Sequence, residues 1–97
     1  MITHIVLFKL KDAAPAVILK TRDVLLNMKG KIPVLKHLEV GTDVLRSERS
    51  YDLALVSRFD SLADLKVYQE HPVHQEVLKY MAGVREHSAA VDFEGRG

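Results

Sequence analysis

The spacing of apolar residues switches along this chain between the alternation of a β-strand and the three-to-four-residue repeat of an α-helix. The order of these segments restricts the fold more than any other feature, because each change of period requires a change of secondary structure. The order is strand, helix, strand, strand, helix pair, strand, which predicts an α+β ferredoxin-like βαββαβ fold with helices on one face of an antiparallel sheet. The predicted strands are residues 2–10, 35–45, 51–59 and 88–93, and the predicted helices are residues 14–31, a segment that follows Ser61, and residues 72–84.

Local signals mark the ends of the helices. Gly30 and Pro33 end the first helix, and Ser61 with Asp64 forms a capping-box pattern that starts the second. Pro72 cannot continue that second helix but suits the first turn of a third. The residues that the helical repeat turns inward are Val17, Thr21, Val24, Leu25, Met28 and Ile32 in the first helix, Leu62, Leu65 and Tyr68 in the second, and Val73, Val77, Leu78 and Met81 in the third.

The sheet face that points away from the helices is unusually apolar. In an antiparallel sheet covered on one side, the strands normally alternate between apolar inward and polar outward residues. Left in water, this second face would be a larger apolar patch than monomers usually expose. Burying each of these side chains in an interface would stabilise the association by about 1.5–3 kcal/mol. We therefore expect a homodimer that packs two such faces around a two-fold axis, the alternative being a monomer with strands of mixed polarity. The expected interface residues are Ile5, Leu7, Ala54, Val56, Val91 and Phe93.

Length, charge and cysteine content narrow the possible functions. The chain has 97 residues, which predicts a single domain at residues 1–94 with a flexible tail at residues 95–97. A formal net charge of +1 gives no electrostatic basis for binding nucleic acid, and the absence of cysteine excludes disulfides and thiolate chemistry. No signal-peptide pattern and no segment of membrane-spanning length is seen, so we expect a soluble, cytoplasmic protein without membrane partners.

The segment from Tyr68 to His74 gathers a phenol and two imidazoles around Pro72. Such groups exchange protons near neutral pH, and we expect Tyr68 and His74 to face each other as a candidate catalytic pair. A neutral imidazole can remove a proton from an activated carbon while a phenol donates a hydrogen bond to the developing enolate oxygen. The structural alternative is that His71 caps a helix, His74 stabilises the turn and Tyr68 belongs to the core.

We expect a pocket between the helices and the sheet, because several small residues share the helix-facing side of the strands. It would hold a small apolar or phenolic ligand. Neither a cofactor nor a metal is predicted, since His71 and His74 are spaced poorly as helical ligands and no phosphate-binding glycine loop occurs. The residues expected to contact a substrate, besides the catalytic pair, are His4, Val6, Phe8, Leu55, Ser57, His71, Leu78 and Ser88.

Several segments of the chain together match the pattern of a known family. They are residues 4–12, 41–44 and 51–61, Tyr68, the His71-Pro72-x-His74 motif, and residues 91–93. In these segments the chain resembles the stress-responsive dimeric α/β-barrel (Dabb) family. The resemblance implies homodimers in which two ferredoxin-like sheets form a barrel. One plant member is a polyketide cyclase that works by aldol condensation without cofactor or metal, and its catalytic residues are similar to Tyr68 and His74.

Other features of that plant cyclase set limits to the resemblance. Its pocket histidine near the amino terminus resembles His4, whereas a second pocket histidine is replaced here by Leu53. Three functions remain open: cyclase-like lyase chemistry, cofactor-free oxygenation, and a non-catalytic structural or interaction role.

Overall fold

The computed structural model of the chain describes residues 1–95, so most of the predicted tail, Arg96 and Gly97, lies outside the described residues. The elements follow the predicted order. None of the helices within residues 1–95 combines the length and the apolar character needed to cross a lipid bilayer. The elements are β1 (Ile2–Leu10), α1 (Pro15–Leu26), β2 (His37–Thr42), β3 (Leu53–Phe59), α2 (Leu62–Glu70), α3 (Pro72–Val84) and β4 (Arg85–Glu94).

The strands form one antiparallel sheet in the order β2-β3-β1-β4, which confirms the ferredoxin-like fold. The first strand is central and pairs with β3 on one side and β4 on the other. His4 lies opposite Ser57 in β3 and opposite Asp92 in β4, and this register fixes which side chains share each face.

Several element boundaries differ from the sequence-based expectation, and β3 begins at Leu53 rather than residue 51. The first helix ends at Leu26 rather than residue 31, and a series of turns follows, in which Gly30 has a φ of +79°. Met28 and Ile32 are nevertheless buried as predicted. The second strand is limited to residues 37–42, and β4 begins at Arg85 instead of residue 88, directly after α3, because the backbone of Arg85 is already extended.

The residues predicted to start the two later helices do so. The Ser61 hydroxyl accepts a hydrogen bond from the Asp64 N–H at 3.1 Å, and Pro72 is the first residue of α3. The prediction that Leu62 points inward is wrong, because its side chain is 65% exposed. Leu62 is the first residue of a short helix, and only Leu65 and Tyr68 on that stripe reach the core.

A buried carboxylate joins the end of β1 to the β2–β3 loop. Asp52 is 3% exposed, and its side chain accepts hydrogen bonds from the Leu10 N–H at 2.7 Å and from Arg46 Nη2 at 2.9 Å. Its own N–H donates to the Phe8 carbonyl at 2.8 Å, so Asp52 pairs with β1 through both backbone and side chain. This contact fixes the end of the central strand.

We predict that Asp52→Ala lowers the free energy of unfolding by about 2–3 kcal/mol, because the buried Leu10 N–H loses its acceptor. Urea denaturation of the two proteins measures this difference. Asp23→Ala removes an exposed carboxylate and should change stability by less than about 0.5 kcal/mol. A similar small effect of Asp52→Ala would contradict the role assigned to this residue.

Candidate functional site

A cavity of about 360 Å³ lies between the helices and the helix-facing side of the sheet. Its walls are mainly apolar. Further lining residues that the sequence did not single out for the pocket include Met28, Gln69 and Arg85. The residues expected at the pocket that line this cavity are His4, Val6, Phe8, Leu55, Tyr68, His74, Leu78 and Ser88.

Two residues expected at the pocket lie outside its lining. Ser57 is fully buried, and its hydroxyl donates to the carbonyl of His4 at 3.3 Å. His71 accepts a hydrogen bond at Nδ1 from the Val73 N–H at 3.1 Å, so it caps α3. Its position matches the structural alternative considered for this histidine.

Tyr68 occupies the centre of the core and one wall of the cavity. Its side chain is 1% exposed, and its ring packs against Phe59 and His74 with centroid distances of 4.8 and 4.3 Å. The hydroxyl donates to the sulfur of Met28 at 3.8 Å, and sulfur is a weak acceptor. Burial raises the pKa of Tyr68 well above its ordinary value, so the phenol stays protonated at neutral pH and acts as a donor.

His74 lies in the first turn of α3, and its tautomer is fixed by the backbone. Its Nδ1 is 3.0 Å from the carbonyl oxygen of Gln69, which can only accept, so Nδ1 carries the hydrogen and Nε2 is the basic nitrogen. Burial lowers the pKa of His74, the hydrogen bond to Gln69 opposes this, and the charge of nearby His4 lowers it further. His74 is therefore a neutral base at physiological pH.

A second imidazole approaches the same place from the sheet. His4 pairs through Nδ1 with the carboxylate of Asp92, and its ring lies edge-on to Tyr68 with a centroid distance of 6.3 Å. Because the carboxylate binds Nδ1, Nε2 is the nitrogen left for other partners. Asp92 was not predicted as a site residue, although the alternation of β4 places it on the same face as Ser88 and Ala90.

The arrangement suits acid–base chemistry. A phenol that donates and an imidazole that accepts are in ring contact beside a mainly apolar cavity, and a second oriented imidazole is near. Within residues 1–95, no group of three or more histidine, aspartate or glutamate side chains is gathered in a way that could bind a metal ion. In particular, His71 and His74 each contact a different backbone group.

Comparison with known proteins assigns the family. The profile of the stress responsive A/B barrel domain (Dabb) matches residues 2–95, so the chain belongs to this family. An uncharacterised protein of Streptomyces coelicolor is 35% identical over 79 residues, which cover 77% of this chain and 80% of that relative.

Solved structures show the same fold in dimeric proteins of unknown function. One from Bacteroides fragilis is 35% identical with a TM-score of 0.83, over 97% of this chain and 95% of the other. Another from Thermobifida fusca is 31% identical with a TM-score of 0.84, over 95% of this chain and 88% of the other.

Enzymes also share the fold at lower identity. A hydroxynitrile lyase from Passiflora edulis is 22% identical with a TM-score of 0.80, over 95% of this chain and 90% of the lyase. An antibiotic biosynthesis monooxygenase is 11% identical with a TM-score of 0.76 over the full length of both chains. At these identities the likeness concerns the fold alone.

We predict that the His74 imidazole titrates below pH 6.5, the ordinary value for histidine, because burial disfavours its charged form. The unfolded chain then binds more protons than the folded one between the two pKa values. The contribution of His74 to the free energy of unfolding is therefore fully present above pH 6.5, and it is lost as the pH falls through the lowered pKa. An NMR titration measures the midpoint, and the resonance of His74 is assigned by its absence in the His74→Ala variant. A midpoint at or above pH 6.5 would contradict the burial of this side chain.

Proposed function

We propose that the protein binds a small, mainly apolar carbonyl compound in this cavity and moves a proton on it without cofactor or metal. The observation that carries the proposal is the ring contact between Tyr68 and His74 at the cavity wall, with the His74 tautomer fixed by Gln69. The enzymatic class closest to this chemistry is a cyclase-like lyase.

The proposed steps use only side chains of this chain. His74 Nε2 removes a proton from the carbon next to the carbonyl group, and the electron pair moves onto the carbonyl oxygen to give an enolate. The Tyr68 hydroxyl leaves its weak contact with Met28 and donates to that oxygen. In a cyclisation, the enolate carbon attacks a second carbonyl of the same molecule, and the resulting alkoxide takes the proton back from the His74 imidazolium.

Cofactor-free oxygenation is the second candidate, and the shared fold of a monooxygenase favours it. It needs an easily oxidised phenolic substrate and molecular oxygen, whereas proton transfer and aldol closure consume no oxidant. Turnover under nitrogen therefore separates the two reactions. A third candidate, a non-catalytic structural or interaction domain, requires that the cavity hold no ligand.

We predict that the protein accelerates deuterium exchange at the methyl group of acetophenone in D₂O and that His74→Ala slows this by about 10²–10⁴. Tyr68→Phe should slow it by about 10²–10³, because the enolate oxygen loses a donor. NMR measures the exchange. The His74 variant should lose only about 1 kcal/mol of stability, since the Gln69 carbonyl keeps its hydrogen bond from Gln75 at 2.7 Å. The Tyr68 variant should lose as little, because it keeps the packing of the ring and gives up only a weak hydrogen bond to the sulfur of Met28.

His37→Ala is the matched control, because His37 lies on β2 outside the cavity lining. It should leave the exchange rate unchanged. If the His74 and Tyr68 variants lose several kcal/mol of stability and exchange is not affected, the pair is structural and the proposed reaction is wrong.

We further propose that the chain forms a homodimer through the second face of its sheet, giving a dimeric α/β barrel. The register supports this surface, because Ile5 lies opposite both Val56 and Val91, so all three point to the same side. In the single protomer Val91 is 53% exposed and Phe93 46% exposed. The related proteins from Bacteroides fragilis and Thermobifida fusca are dimeric.

We predict that light scattering at micromolar concentration gives twice the mass of the 10.9 kDa chain. Val91→Glu should shift the protein to monomers, because a charge in the apolar interface would lose its hydration without a partner. Leu62→Glu is the control, since Leu62 is also exposed in the protomer, at 65% against 53% for Val91, but lies on α2. A monomeric wild-type protein, or a Val91→Glu variant that stays dimeric, would disprove this interface.

A further inference from the structure

One permanently charged side chain lines the cavity, and the proposed proton transfer does not use it. Arg85 is the first residue of β4, and its Nη1 donates to the Ser88 hydroxyl at 2.9 Å. Both residues line the cavity, and no aspartate or glutamate is among the lining residues of the described part of the chain. Within residues 1–95, Arg85 forms no salt bridge, so its charge is not neutralised by a neighbour.

A bulge in β4 directs Arg85 to the cavity side of the sheet. Lys9 lies opposite His87, but Leu10 lies opposite Arg85, so Glu86 is an extra residue in β4. Without this bulge, the alternation back from Ser88 would place Glu86 at that position. Because of the bulge, the guanidinium of Arg85 points to the cavity in place of the carboxylate of Glu86. Bulges commonly redirect side chains in this way near functional sites.

The guanidinium and the acid–base groups lie at opposite ends of the cavity. Ser88, which binds Arg85, lies opposite Phe8, whereas Asp92 lies opposite His4. Four residues of strand separate the two positions, which is about 13 Å at about 3.3 Å per residue. Tyr68 and His74 lie at the His4 end. The wall between the ends is apolar and includes Val6, Leu55 and Leu78.

We propose that Arg85 anchors a carboxylate, so that the ligand is an elongated molecule with a carboxylate at one end and the reacting carbonyl at the other. This inference rests on the proposed function, because it assumes that the cavity binds the substrate. Arg85 Nη1 donates to the Ser88 hydroxyl, and the other guanidinium N–H groups have no acceptor among residues 1–95. They can therefore donate to a carboxylate, whose two oxygens match the planar fork of donors. The apolar wall contacts the chain between the two polar ends.

The test compares 6-oxo-6-phenylhexanoate with its neutral amide, 6-oxo-6-phenylhexanamide, in NMR titrations of the purified protein at pH 8. The Arg85→Gln variant, titrated at the same pH, shows whether a preference for the anion comes from the guanidinium. The wild-type protein should bind the carboxylate at least tenfold more tightly than the amide, with shifts at Val77 and Leu78. Arg85→Gln should bind both equally, at the affinity of the wild type for the amide, whereas Arg85→Lys should keep part of the preference.

Lys66→Gln removes one exposed positive charge from α2 and is the control for net charge; it should keep the wild-type preference. If both compounds bind the wild type equally, or if Arg85→Gln keeps the preference, the carboxylate anchor is wrong while the cavity remains a binding site. If neither compound shifts the cavity resonances, the proposed function fails together with the anchor. A loss of stability in Arg85→Gln with an unchanged preference would show that Arg85 only stabilises the end of α3.

Discussion

The pairing of β1 with two neighbouring strands is the constraint on which the rest of the structure depends. The register with β4 puts His4 beside Asp92, and the register with β3 puts Ser57 under the backbone of His4. A slip of one residue would reverse the faces of β1, sending His4 to the second face and Ile5 into the cavity. The contact of Asp52 with Leu10 fixes the strand against such a slip.

Tyr68 serves the core and the cavity at once, which limits what chemistry it can perform. Burial against Phe59 keeps the ring in one position and raises the pKa of the phenol, so it is suited to donate a hydrogen bond and poorly suited to ionise. His74, less buried and bound to a backbone carbonyl, supplies the basic nitrogen. The two different environments assign different roles to two neighbouring groups.

Local signals in the sequence were sufficient for the order of the elements and for much of the cavity lining. The cap at Ser61, the break at Pro72 and the alternation of β1 and β3 all act over a few residues. Contacts between distant segments were not predictable in the same way. The pair of His4 with Asp92 depends on strand register, and the direction of Arg85 depends on a bulge that simple alternation cannot foresee. The exposed Leu62 shows that a helical stripe does not reveal where a helix leaves the core.

The two faces of β1 also link the proposed cavity to the proposed dimer. His4, Val6 and Phe8 line the cavity, while Ile5 and Leu7, between them in sequence, point to the second face. Because a strand moves as a unit, a partner that holds Ile5 and Leu7 also restricts the backbone that carries His4. Dimer formation would therefore order one wall of the cavity without supplying a side chain to it, so that assembly and ligand binding stabilise the same strand from opposite sides.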